Sequence, residues 1–252
     1  MSACFCDNTD KNDKNKKNKK FISIAIDGPS GAGKSSLAKG LAEKLGFLYL
    51  DTGALYRTVG LYVFEAGIDL TDINNAKEIE GMIDRGDIKI DVEYKDGEQR
   101  LFLNGSDVSV RIRENIISKY ASDVSAIPKV REFLLKTQRD AAESNNIIMD
   151  GRDIGTVILP DADVKIFLTA APKERAKRRC GELAQKGQNV EYDAILHEIN
   201  ARDEQDSGRE AAPLRPADDA VELDNSGCKS PAETLGKAIK IIKEILPDVC
   251  IR

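Results

Sequence analysis

Five short apolar runs punctuate the chain: "FISIAI" (21–26), "FLYL" (47–50), "IIM" (147–149), "VKIFL" (164–168) and "AVEL" (220–223). Each reads as a buried parallel strand, followed by turn residues and then by helical spacing. Strands and helices alternating in this way predict a doubly wound parallel α/β sheet of about five strands. After the first run, Leu37, Ala38, Leu41, Ala42 and Leu45 fall on one helical face, and Gly46 supplies the stop.

The interval between the second and third runs is nearly 100 residues, far longer than an ordinary crossover of about a dozen or more. It must hold structure of its own. Within it, "IKIDVEYKDGEQRLFL" alternates apolar and polar positions on both sides of Asp96-Gly97, which predicts a β-hairpin. "NGSDVS" then suggests another turn and a third strand. Helical patterns follow near 113–125 and 128–142, the second opened by Pro128 at a first helical position. Residues 172–209 read as two charged helices around a polar "KGQN" turn. A hairpin so poor in aliphatics and rich in arginine sits above a sheet, as a lid does.

Composition changes this picture only at the N-terminus. The apolar fraction of 41% supports a folded body over most of the 252 residues. Residues 1–20 depart from it, with six lysines against three aspartates and no apolar periodicity after Phe5. This stretch is expected to be a disordered tail carrying +3, which leaves −8 of the net −5 on the rest. A body of that sign argues against nucleic-acid binding, while the polybasic tail is readable as a contact for RNA or an anionic surface, or as a plain solubilising leader. The tail lacks the apolar segment of a signal peptide, and no run of about 18 apolar residues spans a bilayer, so the expectation is a cytoplasmic protein. Five scattered cysteines, Cys4, Cys6, Cys180, Cys228 and Cys250, form neither a disulfide framework nor a zinc site.

The chemistry begins between the first run and its helix. Gly28-Pro29-Ser30-Gly31-Ala32-Gly33-Lys34-Ser35 fits GxxxxGK(S/T) in full. Glycines there let backbone N–H groups and the helix N-terminus face phosphates, Lys34 bridges them, and the Ser35 hydroxyl suits Mg²⁺. The candidate ATP site is this loop with its flanking Asp27 and Ser36. No base-reading N-K-x-D string follows the loop, which argues against a switch GTPase. Asp150 ends an apolar strand, as a second Mg²⁺-directed group should; it is also readable as an ordinary strand-end carboxylate or a helix cap.

A second cluster starts one strand later, at Asp51-Thr52-Gly53-Ala54-Leu55-Tyr56-Arg57. This is the carboxyl edge of the sheet, where such folds bind ligands. Asp51 or Thr52 is readable as a plain N-cap, but Arg57 suits a bidentate grip on an acceptor phosphate. Arg152 and Asp153 fall at the same edge. Arg202, Asp206 and Arg209 share one helix face, a spacing that surface ion pairs explain equally. The same alternative stands for Arg175, Arg178 and Arg179. A loose phosphoryl-transfer transition state needs positioning and positive charge, which this concentration of arginines supplies.

In order and spacing, "IDGPSGAGKSSLAK", "LDTGALYR", "SDVSAIPKVRE", "DGRDIGTVILPDADVKIFLTA", "ERAKRR" and "RDEQDSGREAAPL" resemble the bacterial cytidylate kinase family, a branch of the nucleoside monophosphate kinases. The likeness covers residue 21 to about 245. It implies a P-loop NTPase-type core with a mixed α/β acceptor-binding insert and a helical lid. The matching partition is a tail at 1–20, a core of 21–50, 143–171 and 211–252, a CMP-binding domain at 51–142 and a lid at 172–210. The implied reaction is transfer from Mg·ATP to CMP or dCMP. By the same resemblance, Ser122, Arg131 and Asp153 read cytosine, while Arg57, Arg152 and Arg209 hold the CMP phosphate. Arg202 with Asp206 takes the ribose, and Asp51 and Thr52 line the acceptor site. Arg175 and Arg179 cover the ATP phosphates, with the choice among Arg175, Arg178 and Arg179 open. Lys34, Arg57, Arg152, Arg175 and Arg179 form the expected catalytic set, and Ser35 with Asp150 the metal set. Thr52 stands where the family commonly has serine, so a hydroxyl is kept. The expected partners are ATP and CMP or dCMP, with no nucleic acid or membrane, in a monomer. The competing readings are a kinase of another small acceptor and a nucleotide-dependent RNA-binding regulator that uses the basic tail.

Overall fold

The computed structural model describes residues 21–70, 74–95, 97–185, 187–209 and 212–252; the tail at 1–20 lies outside them. All five apolar runs form strands: β1 (Ser23–Asp27), β2 (Leu48–Asp51), β6 (Ile147–Gly151), β7 (Val164–Thr169) and β8 (Val221–Asp224). They make one parallel sheet in the order β2-β6-β1-β7-β8. β1 is central and wholly buried, which is why its run has no polar alternation.

The register of this sheet places the site. Asp51 pairs with Asp150, and Asp27 pairs with Gly151, so three carboxylates from adjacent strands arrive at one carboxyl edge. Helix α1 (Lys34–Leu45) leaves β1 through the glycine loop and buries Leu37, Ala38, Leu41, Ala42 and Leu45. Gly46 ends it in the left-handed region, its N–H bonded to the carbonyl of Ala42. α1 packs with α8 (Pro231–Ile245) against one face of the sheet, around Ile24, Ile26, Leu41, Ala238 and Ile242.

Among the described residues the long interval holds four α-helices and a small sheet. α2 (Thr52–Glu65) follows β2 directly, and α3 (Asn74–Arg85) comes next. The alternating stretch forms the hairpin β3 (Ile90–Lys95) and β4 (Glu98–Leu103), with β5 (Ser106–Asp107) added at its edge. The turn residue Asp96 lies outside the described residues. α4 (Asn115–Val124) and α5 (Pro128–Ser144) complete the segment. α4 starts two residues later than its periodicity suggests, because Arg111–Arg113 winds into a separate 3₁₀ turn that extended Glu114 terminates. α3 is absent from the sequence reading. Its apolar positions Ala76, Ile79, Met82 and Ile83 are few, and only Ile79 is fully buried. These helices and the small sheet share a core of their own, including Leu55, Val59, Leu101, Ile117 and Leu134. Gly60 permits the tight crossing of α2 and α4, since a Cβ there would sit 2.9 Å from the backbone nitrogen of Ala121.

β6 runs into a π-helical turn at Ile154–Ile158. α6 (Pro172–Gln185) and α7 (Tyr192–Ser207) form the charged helical hairpin, closed by a small cluster of Ala176, Leu183, Ile195 and Ile199. No helix among the described residues is long and apolar enough to cross a membrane.

Candidate active site

A cleft of about 710 Å³ opens over the carboxyl edge of the parallel sheet. The glycine loop forms one wall. Gly28, Gly31 and Gly33 have φ of 146°, 74° and 91°, a region that side chains disfavour. At Gly28 the requirement is steric too, because a Cβ would lie 1.9 Å from the carbonyl oxygen of Leu168. Lys34, buried beneath the loop, donates to the carbonyl of Pro29 at 2.8 Å. Burial, helped by the nearby Arg152, lowers its pKa well below the ordinary lysine value. Asn225, at the end of β8, ties the loop down by donating to the carbonyl of Ala32 at 2.8 Å.

Asp150 lies between the loop and β2. It accepts from the Ser35 hydroxyl at 2.9 Å and from Tyr49 at 2.8 Å. Its pKa is raised, first by burial and then by the neighbouring Asp51. Tyr49 is raised as well, by burial and by Asp150. Ser35 and Asp150 are hard oxygen donors, the type a magnesium ion prefers. Among the described residues no three His, Cys, Asp or Glu side chains gather as a complete metal cage.

The opposite wall is built from ion pairs. Asp51 caps α2 through the N–H of Ala54 at 2.9 Å, so its reading as an N-cap holds. The same carboxylate also binds Arg57 at 2.8 Å and Arg113 at 2.9 Å. Burial alone would raise its pKa, yet the two guanidinium groups hold it below the ordinary value. Thr52 donates to the carbonyl of Asp150 at 2.8 Å. Asp206, on α7, accepts from Arg152 at 2.7 Å and pairs with Arg209 at 2.5 Å. It too is held low against burial, by Arg152, Arg209 and Arg202. Asp153 pairs with Arg131, which stacks 5.7 Å over the ring of Tyr56. Burial outweighs Arg131 there and raises the Asp153 pKa. Ser122 donates to Gln205 of α7 at 3.2 Å, joining α4 to the helical hairpin.

Three buried guanidinium nitrogens in this wall, Nε of Arg57, Arg202 and Arg209, have no partner among the described residues. Buried donors of that kind are costly unless an acceptor arrives, and an anion entering the cleft is such an acceptor.

The cleft is lined by Ser30, Gly31, Gly33, Lys34, Ser35 and Ser36 on the loop side. Across from them are Asp51, Thr52, Arg57, Ser122 and Arg131, joined by Asp150, Arg152 and Asp153. Arg202 and Asp206 reach it from α7, whereas Arg209 comes from two residues past the end of that helix at Ser207, so the three do not share one helix face. Gly28, Pro29 and Ala32 shape the loop from behind. Asp27 lies buried behind the loop, accepting from the N–H groups of Ile154 and Gly155, with a pKa pushed up to about 6 by burial.

The three arginines of α6 separate clearly. Arg178 lines the cleft and donates to the side chain and carbonyl of Asn225 at 2.9 and 2.8 Å. Arg175 is buried beneath the hairpin, bound to Asp203 at 2.5 Å and to the carbonyls of Ser30 and Ala170 at 2.9 Å. Arg179 is turned to Glu182 at 3.4 Å on the exposed side. Arg113, Asn225 and Tyr49 were missed by the sequence reading. Arg113 lies in the 3₁₀ turn, 62 residues from its partner, and no local spacing marks it.

The arrangement holds two anion-binding walls across one cleft, one of backbone N–H groups and a lysine, the other of guanidinium groups. Such a pair can bring two phosphorylated ligands together. A family model described as cytidylate kinase matches residues 24–244. The chain is 48% identical to a cytidylate kinase of Caldicellulosiruptor saccharolyticus over 90% of its own length and 98% of that relative. It is 51% identical to one from Caldanaerobacter subterraneus subsp. tengcongensis, covering 81% of the chain and 88% of the relative. A third, from Carboxydothermus hydrogenoformans, is 47% identical over 87% and 96%.

Proposed function

The chain belongs to the cytidylate kinase family, and from that premise we propose that it transfers the γ-phosphoryl group of ATP to CMP or dCMP, giving CDP or dCDP. The observation that carries the choice of acceptor is the buried Asp153–Arg131 pair in the same cleft as Lys34. Cytosine offers an exocyclic amine that the Asp153 carboxylate accepts from, whereas uracil presents a carbonyl there and is repelled. A site built around such a bond rejects the analogue lacking it by about 10⁴–10⁵-fold. Ser122 joins this pair in reading the base.

Arg57, Arg152 and Arg209 hold the CMP phosphate, and Arg202 with Asp206 holds the ribose, beside Asp51 and Thr52. The unpartnered Nε of Arg57 and Arg209 support this assignment. Lys34 exchanges the Pro29 carbonyl for donor phosphate oxygens, with the loop from Gly28 to Ser36 around them and Asp27 behind it. Arg178, the α6 arginine in the cleft, covers the donor phosphates; Arg175 and Arg179 reach them only if α6 moves. Ser35 and Asp150 fit Mg²⁺, which, when bound, neutralises charge on the donor phosphates. No general base is required, because the acceptor phosphate oxygen is already anionic, and His197 is exposed on α7.

In this reading residues 51–142 are the CMP-binding domain and 172–210 the lid, closing on the core of 21–50, 143–171 and 211–252. Closure excludes water and so protects ATP from hydrolysis. The protein acts as a cytoplasmic monomer, without nucleic acid or membrane. A panel of CMP, dCMP, UMP, AMP and GMP with Mg·ATP tests it. CMP and dCMP are expected to be preferred by kcat/KM, and a preference for any other member overturns the assignment.

A further inference from the structure

Asp27 ends β1 and immediately precedes the glycine loop, which by sequence alone puts it with the donor site. Its carboxylate serves a different element. Oδ1 accepts from the N–H of Ile154 at 2.8 Å and Oδ2 from the N–H of Gly155 at 2.7 Å. These are the opening N–H groups of the π-helical turn at Ile154–Ile158, and the first donors of a helical turn have no partner within it. Ordinarily the residue at the cap position supplies one, and an aspartate there folds its carboxylate back onto them. Asp153 occupies that cap position and makes no such bond. Its carboxylate pairs with Arg131 instead, inside the cleft.

We infer that Asp27 is a positioning residue for acceptor-base recognition: by capping the turn from a neighbouring strand, it releases the Asp153 carboxylate to Arg131 and the pyrimidine. The inference rests on the assignment of Asp153 to the base. The turn is closely packed on its other side, where a Cβ on Gly155 would lie 3.1 Å from Lys165 Cδ, while Asp27 Oδ2, at 3.4 Å, would be in ordinary contact. Asp27 is 4% exposed and does not line the cleft, so it acts through the turn and not by touching the nucleotide. Without its cap, the Asp153 side chain, standing at the cap position, is able to satisfy a freed N–H group, and it would do so by leaving Arg131.

The test uses the full-length enzyme and steady-state kinetics with CMP and UMP. Asp27→Asn keeps the shape but turns one of two acceptors into a donor. Its preference for CMP over UMP is expected to fall about tenfold or more, while the KM for ATP stays within about threefold. Asp27→Ser leaves one hydroxyl oxygen to accept from the turn and is expected to shift the preference in the same direction; it decides the matter if circular dichroism shows Asp27→Asn unfolded. Asp153→Asn is run in parallel. If Asp153→Asn lowers the preference and folded Asp27→Asn does not, the positioning role is wrong and the base assignment stands. If Asp153→Asn leaves the preference intact, the base assignment fails and takes this inference with it. A rise in the KM for ATP with unchanged preference returns Asp27 to the donor site and also overturns the proposal.

Discussion

In the proposed reading the two walls of the cleft do the same work, holding a phosphate, by different means. The donor wall is made of backbone, within eight consecutive residues, Gly28 to Ser35, fixed by glycine conformations that other residues resist. The acceptor wall is made of side chains. Its carboxylates Asp51, Asp153 and Asp206 come from β2, the end of β6 and α7, and each is bound by arginines from elsewhere in the chain. The electrostatics differ in part. Guanidinium groups prevail for Asp51 and Asp206 on the acceptor side and hold them low. Burial prevails at Asp150 beside the loop, at Asp27 behind it and at the acceptor wall's Asp153, and raises all three. A wall of backbone dipoles is complete before its ligand arrives. A wall of arginines is paired with its own carboxylates, and the ligand completes it at nitrogens such as Arg57 Nε.

The largest effects should come from removing the charged centre of either wall. Lys34→Ala and Arg57→Ala are each expected to lower kcat by about 10³–10⁵-fold. Calorimetry separates the walls: Lys34→Ala should retain CMP affinity, and Arg57→Ala should retain ATP affinity. Near-normal turnover in either variant removes that residue from its role.

Asp206→Ala breaks the acceptor wall at its hub, leaving Arg152 and Arg209 without their buried partner. Loss of one partner from a buried pair costs about 3–5 kcal/mol. Denaturant unfolding should show a loss of that order, smaller when saturating CMP supplies a replacement anion. An equal loss with and without CMP would show that those arginines do not meet its phosphate.

Acid titration should distinguish Asp206 from Asp27 by sign. Asp206 is lowered in the folded state, so its contribution is present above the ordinary aspartate value of 3.8 and is lost as pH falls through the lower folded value. Asp27 is raised to about 6, so the folded state takes up its proton first and stability declines as pH rises from 3.8 to about 6. The Asp27 contribution is on the order of 2–3 kcal/mol. Unfolding measured across pH should flatten between 3.8 and 6 in Asp27→Asn and below 3.8 in Asp206→Asn. The same windows flattening in both variants would erase the contrast.

Tyr49→Phe should have the smallest effect, since it deletes only the hydroxyl donating to Asp150 at 2.8 Å. One such bond is worth about 0.5–1.5 kcal/mol. The apparent KM for Mg·ATP is therefore expected to rise about three- to tenfold, with the KM for CMP unchanged. A larger shift for CMP than for ATP would move Asp150 to the acceptor side.

The amino-acid sequence by itself determined the five strands, the first helix and its glycine stop, the hairpin and the phosphate loop. All of these are local: a buried parallel strand is a short apolar run, and a left-handed turn needs its glycine wherever the rest of the chain lies. It also showed that arginines and carboxylates crowd the sheet edge. Tertiary structure alone decided which of them face the cleft. Arg175, Arg178 and Arg179 lie within one and a half turns of α6, yet one is buried against Asp203, one lines the cleft and one meets solvent. Arg113 entered the site from a 3₁₀ turn, and Asp27 turned from the loop beside it to cap a distant one. A charged side chain takes its direction from the partner that relieves its burial. When that partner is tens of residues away, only the folded chain brings the two together.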